Sequence, residues 1–281
     1  MYTYTPESLI DLWFREDIGD GDHTTLSTIP ENATGKARLL VKEEGILAGV
    51  KIAELIFNKF DSNLTVEVFM KDGDPIKPGD HVLVVDGSVR SILQSERLVL
   101  NVMQRMSGIA TETSRYVKEL EGTGTRVLDT RKTTPGFRYM EKEAVRIGGG
   151  VNHRIGLYDM ILIKDNHIDF AGGIRKAIEA AYSYLQEKGM NLKIEVEVRS
   201  LEDIKIVLET GLVHRILLDN FSVEKTREAV KLIQGQVETE SSGGITFLTL
   251  RSYAECGVDY ISVGALTHHI KSLDLSLKAD F

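Results

Sequence analysis

Cysteine is almost missing from this chain, with Cys256 the single one in 281 residues. That excludes an internal disulfide framework and fits a reducing compartment, and Cys256 itself reads as a small buried hydrophobe on a helix. Positive charge is in deficit as well. Lysine and arginine number 34 against 42 aspartates and glutamates, a formal net charge of -8. Such a balance argues against nucleic acid as a partner, because phosphate-backbone binding needs a broad basic face. A small anionic ligand needs only a local cationic pocket. No apolar run approaches membrane-spanning length, and the opening "MYTYTPESLIDLWF" lacks a basic stretch followed by an apolar one, so a cytoplasmic protein without membrane contacts is expected. Low-complexity linkers and sequence repeats are missing too. With 42% hydrophobic and 27% charged residues, the composition is that of a globular protein able to bury a substantial core.

What is present divides near residue 108. Before it, "KARLLVKEEGILAG" and "LTVEVFM" read as strands flanking a helix over residues 51–60, and a "DGDPIKPGD" turn leads into the strand "HVLVVDG". "SILQSERLVLNVMQRMSG" has helical spacing, with Arg97 and Arg105 off the centre of its apolar stripe. After it, short apolar strands alternate with amphipathic helices: "TRVLDT", "DMILIKD", "LKIEVEV", "HRILLDN", "VETES" and "DYISVG". This is the signature of a parallel sheet covered by helices, and so many successive units close most easily into a barrel. The expected organisation is therefore α/β, with an N-terminal α/β sandwich-like domain over residues 1–108 and a barrel over 109–269. The segment 270–281 is expected to pack with the first domain.

The strands are apolar in their bodies and charged or glycine-rich at their ends. In order, those ends carry Asp129, Arg131 and Lys132; Lys164, Asp165 and His167; Glu195 and Glu197; Asp219 and Asn220; Ser241, Ser242, Gly243 and Gly244; and Gly264. In parallel barrels these ends build the active site. In "LKIEVEVRS", alternation places Glu195 and Glu197 on one face and Ile194, Val196 and Val198 on the other. With the apolar face against the helices, both carboxylates point inward, where an unpaired charge costs several kcal/mol. Lys132 and Lys164 are the expected counter-charges. A buried ion network that only holds the barrel together is the competing reading, and it weighs more on Glu195 than on Glu197.

"ESSGGI" before a helix and "VGAL" at the next strand end suggest a phosphate site. Between the first two barrel strands lies a basic stretch with Arg138, Lys142, Arg146, His153 and Arg154. Lys142 and Arg146, at i and i+4, read as solvated pairs with Glu141 or Glu143. His153 and Arg154 follow a triple glycine and read as a ligand-contacting loop, since arginine's planar fork matches carboxylates. His268 and His269 read either as site lining or as a helix cap. All of this points to a ligand with several carboxylates or phosphates.

"DTRKTTPGFR", "NHRIGLYDMILIKDNH", "EVEV", "LLDN", "ESSGGI" and "GVDYISVGALTH", in this order, closely resemble the quinolinate phosphoribosyltransferases. "EDIGDGDHTT" and "NVMQRMSGIAT" resemble that family too, so the likeness runs from about residue 16 to residue 268. The resemblance implies a partly open, seven-stranded α/β barrel and a homodimer or larger homo-oligomer. It implies a reaction of quinolinate with phosphoribosyl pyrophosphate in the presence of Mg2+, giving nicotinate mononucleotide, pyrophosphate and carbon dioxide for NAD synthesis. By similarity, Arg131, His153, Arg154 and Lys164 hold quinolinate, with Lys132 at the junction of the substrates. Glu197 and Asp219 lie near ribose and metal, while Ser242, Gly243 and Gly264 bind the ribose-linked phosphate. Arg105 is implied to reach the neighbouring subunit's site. Three alternatives are a related pyrophosphorylase-like protein of molybdate uptake, a Schiff-base lyase using Lys132 or Lys164, and a non-catalytic phosphometabolite-binding barrel.

Overall fold

The computed structural model describes residues 6–280, and the chain forms two compact units. The first comprises the chain up to Ser114, Thr133–Gly149 and the chain from Ala265 onward. Its strands are β1 (Thr34–Val41), β2 (Gly45–Ile46), β3 (Thr65–Val68), β4 (Pro75–Ile76), β5 (His81–Ser88) and a C-terminal strand, Leu275–Asp280. β1 lies between the C-terminal strand and β5 in an antiparallel four-stranded sheet completed by β3, and β2 pairs with β4. Alternation in β1 buries Ala37, Leu39 and Val41, with Leu39 opposite Leu277 on one side and Leu83 on the other.

The helix Val89–Glu119 is longer than the sequence reading of 91–108. Ile109, Ala110, Thr113 and Tyr116 continue the buried stripe of Ile92, Val99, Val102, Met103 and Met106, so nothing in the spacing stops the helix at the domain division. Gly108 sits within it at a helix-propensity cost of about 1 kcal/mol relative to alanine. A Cβ there would fall 2.3 Å from the Lys271 carbonyl oxygen, so only glycine admits this backbone approach.

The helix Arg138–Ile147, which carries the Lys142 and Arg146 read at helical spacing, also belongs to the first unit, whereas His153 and Arg154 belong to the second. Lys142 is not solvated: it is 1% exposed, and Glu141 is fully buried. Half of this helix is buried, Met140 to Lys142 and Ala144 to Val145, so its inner face is wide enough to take in position 142. Only Arg146 keeps the expected surface pair, donating to Glu143 at 2.9 and 2.5 Å.

The second unit comprises Arg115–Lys132 and Gly150–Gly264. Its strands are β6 (Arg126–Leu128), β7 (Ile161–Ile163), β8 (Ile194–Val198), β9 (Arg215–Asp219), β10 (Glu238–Ser242) and β11 (Tyr260–Ser262). They form one parallel sheet in the order β6-β11-β10-β9-β8-β7. The sheet therefore has six strands rather than seven. The seventh position is held by Val151 alone, through a parallel bridge to Leu128, because the polar "NHR" that follows a triple glycine supplies no apolar run to extend it. Among the described residues nothing pairs Val151 with β7, so the barrel is open there.

Helices Ile174–Lys188, Leu201–Thr210, Val223–Ile233 and Phe247–Ala254 alternate with these strands. Ser200 and Ser222 cap two of them by accepting from the amides of Asp203 and Lys225. Cys256 is buried. No helix among the described residues is long and apolar enough to cross a membrane.

Candidate active site

Because β6 to β11 are parallel, their carboxyl ends share one rim. The bridge between Leu128 and Val151 aligns two segments at that rim, laying Asp129–Arg131 beside Asn152–Arg154. Asp129 fixes the alignment. It is fully buried, accepts the His153 amide at 2.9 Å and accepts Asn152 Nδ2 at 2.6 Å.

Cations gather as a result. Burial pushes the Arg154 guanidinium below its ordinary pKa, and the charge of Arg131 pushes it further. Arg131, Lys132 and Lys164 are exposed and Arg154 is half-buried. Among the described residues, no acid lies within ion-pair distance of Arg131, Arg154 or Lys164. The charges of Glu195 and Asp159 offset part of the push on Arg154, and an anion with more than one carboxylate relieves the remaining like-charge repulsion.

Acids occupy the neighbouring strands. Lys164 follows Ile163, which pairs with Val196, so it stands level with Glu197. Asp219 ends β9 opposite Ser242. Burial, and next the Asp219 charge, hold the Glu197 carboxyl above its usual range, while Lys164 opposes them. Asn220 Nδ2 donates to Asp219 Oδ2 at 2.7 Å. The turn after Ser242 requires glycine: Gly243 has φ +92°, and a Cβ there would fall 2.3 Å from Asn220 Oδ1. Gly264 follows β11 at the same rim.

Glu195 has partners other than the expected Lys132 and Lys164. Its Oε2 lies 3.1 Å from His153 Nε2, and Glu240 Oε2 lies 3.5 Å from the same nitrogen. Arg215 donates to Glu240 at 3.0 Å and to Glu238 at 2.9 and 3.1 Å. Register explains the change, since Arg215 opens β9 directly opposite Glu195, whereas the two lysines lie beyond the strand ends. Arg215 and Glu240 were missed in the sequence, although the arginine in "HRILLDN" and the alternating acids of "VETES" signal inward charges.

Two effects compete over His153. The Arg154 amide donates to Nδ1 at 2.7 Å, which favours a neutral ring, while the buried carboxylates favour an imidazolium. The carboxylates win. Burial opposes the charge, but Glu195 and Glu240 raise the His153 pKa from 6.5 to about 9. That shift is worth about 3 kcal/mol, against about 1 kcal/mol net for one hydrogen bond. In the structure Nδ1 accepts the Arg154 amide and Nε2 is the nitrogen turned toward the two acids.

Folding is linked to this proton. The folded chain holds it more tightly than the unfolded chain, so the stabilisation is complete below about pH 6.5 and lost as pH rises through about 9. Urea unfolding should show a fall of about 3 kcal/mol across that window, and His153→Gln should flatten it. Equal pH slopes in the two proteins would contradict this assignment.

Comparison with known proteins gives a consistent result. A model described as "Quinolinate phosphoribosyl transferase, N-terminal domain" matches residues 22–107, and the corresponding C-terminal domain model matches residues 109–278. The chain is 45% identical over 294 residues to a chloroplastic nicotinate-nucleotide pyrophosphorylase (carboxylating) of Oryza sativa subsp. japonica, covering 99% of this chain and 78% of the relative. A probable nicotinate-nucleotide pyrophosphorylase (carboxylating) of Bacillus subtilis (strain 168) is 42% identical over 271 residues, 96% of this chain and 92% of that one. The crystal structure of NadC from Streptococcus pyogenes superposes with a TM-score of 0.92 at 40% identity, covering 100% of both chains.

Proposed function

The chain belongs to the quinolinate phosphoribosyltransferase family, and from that premise we infer how its site divides the work. The enzyme transfers phosphoribosyl from phosphoribosyl pyrophosphate to quinolinate and releases pyrophosphate and carbon dioxide, leaving nicotinate mononucleotide for NAD biosynthesis. The observation that carries the division is the placing of Arg131 beside Arg154 at the strand ends, close enough for their like charges to repel. Quinolinate's two adjacent carboxylates match it, with Lys164 and His153 completing the grip and Lys132 at the junction with the second substrate.

The ring nitrogen of quinolinate bonds to the anomeric carbon as the bond to pyrophosphate breaks. Positive charge develops on the ribose, and Glu197 and Asp219 are placed to stabilise it. The carboxylate beside the ring nitrogen then leaves as carbon dioxide, and its ring carbon takes a proton. The surrounding cations stabilise the electron pair left there. No covalent nucleophile is needed, so a Schiff base on Lys132 or Lys164 has no role. Ser242, Gly243 and Gly264 are proposed to hold the ribose-linked phosphate.

Mg2+ is the proposed metal. The residues fit it, because Glu197 is held above its usual pKa by burial and by Asp219, a repulsion that a divalent cation relieves. When bound, Mg2+ supplies charge neutralisation to the departing pyrophosphate. The relatives named above all carry pyrophosphorylase or NadC descriptions, and neither the molybdate-uptake reading nor the phosphometabolite sensor is favoured by an observation in this chain. The test is turnover: with Mg2+ and both substrates, pyrophosphate and carbon dioxide should appear in equal amounts. Pyrophosphate without carbon dioxide would contradict the decarboxylating reaction.

We also propose a cytoplasmic homodimer or larger homo-oligomer without nucleic-acid or membrane partners, with Arg105 contributed to the neighbouring site. Within its own unit the Arg105 guanidinium donates to Glu141 at 2.9 Å and to the carbonyls of Thr267 and Ile270 at 2.5 and 3.4 Å, while its side chain remains part-exposed. Arg105→Ala strands a buried carboxylate and should cost about 3 kcal/mol of stability. Mixed with Lys132→Ala in verified heterodimers, it should restore part of the activity; absence of rescue would remove the role across subunits.

A further inference from the structure

Behind the rim, the second unit holds a charged cluster that the reaction does not itself use. Glu195 and Glu240 are fully buried, and both face the one ring nitrogen of His153 that points away from Arg154. His153, Glu195 and Glu240 place one ligand atom each within 4.8 Å of one another, a spacing that would suit a metal ion. Arg215 answers that reading. Its guanidinium already sits 3.0 Å from Glu240 and brings the positive charge that an ion would supply, while the ring of Tyr260 packs over it at 4.1 Å.

We propose that Glu195 and Glu240 are positioning residues for quinolinate, acting through His153. By holding Nε2 from within the sheet they fix the ring plane and keep Nδ1 as the acceptor of the Arg154 amide, so that the ring sets Arg154 at the rim. The charged groups here include Glu195 on β8 and Glu240 on β10 at Nε2, Arg215 on β9 against Glu240, Asp129 on the His153 amide and, beside Arg131, Arg154, whose amide donates to Nδ1. A burial cost of this size, with two acids inside a sheet, is recovered when the ring they hold is spent on substrate. Neither acid reaches the rim, since each lies at least one residue inside its strand end.

The inference rests on the quinolinate site proposed above and is tested on the full-length enzyme. Glu195→Gln and Glu240→Gln should each raise the KM for quinolinate about tenfold while the KM for phosphoribosyl pyrophosphate stays within about twofold. In a His153→Asn background, adding Glu195→Gln should change the quinolinate KM by less than about twofold, because the path through the ring is already cut. Independent, multiplying effects in the double variant, equal changes for both substrates, or no change would each overturn the proposal. Should the glutamine variants not fold, nitrogen-15 NMR of the unmutated enzyme decides. Saturation with quinolinate should shift the Nδ1 signal and leave Nε2 hydrogen-bonded, and an unmoved Nδ1 would overturn it. Turnover by the unmutated enzyme separates the two levels: if that fails, the substrate reading fails, whereas turnover with unmoved variant KM values removes only the role of Glu195 and Glu240.

Discussion

Arg154→Ala should lower kcat/KM for quinolinate about a thousandfold, the scale of removing one partner from a desolvated, hydrogen-bonded charge pair. The KM for phosphoribosyl pyrophosphate should stay nearly constant. Arg154→Lys should recover little of the loss, because an ammonium cannot reproduce the two-point geometry of the guanidinium. The unliganded alanine variant should melt no lower than the parent, since it loses the repulsion that pushes the Arg154 pKa down. Activity and stability thus part company at this residue. Steady-state kinetics and thermal melts on the same preparations check both halves. A large fall in melting temperature with parallel losses for both substrates would show that Arg154 is structural.

Asp219→Asn should lower kcat by two to three orders of magnitude, roughly the effect of removing one preorganised charge from a developing cation. Its effect on the quinolinate KM should be small. The sign of the pH effect is also fixed. Asp219 raises the pKa of Glu197, so removing its charge lets Glu197 ionise at lower pH, and the acid limb of the pH–rate profile should move down. An acid limb that stays in place would mean that Glu197 is not the group that titrates there. More Mg2+ should also be needed for half-maximal rate.

Much of this was legible from residue pattern. The alternation of "LKIEVEVRS" correctly put two carboxylates inside, and the charged strand ends marked the rim. The counter-charges were not legible, because strand register decides who faces Glu195. Arg215 lies twenty positions later in the chain yet directly opposite it. The pattern offered the six strands that form, and the seventh, which only the family resemblance implied, is reduced to Val151, whose bridge no apolar stretch announces. The partner that Arg105 has within its own unit, Glu141 from a distant helix, was not legible either. Pattern revealed which residues were out of place in a core, while only the folded neighbours told what each one holds.

The measurement that bears most directly on the site is calorimetric titration of the pure protein with quinolinate and, in parallel, with nicotinate. Both ligands present a pyridine ring and one carboxylate, and they differ by the second carboxylate that the Arg131 and Arg154 pair is proposed to read. Quinolinate should bind at least about a hundredfold more tightly, the discrimination available to a site whose charged donors are otherwise left unpaired. Equal affinities, or binding of neither ligand by the folded protein, would contradict the assignment of this cationic pair to quinolinate.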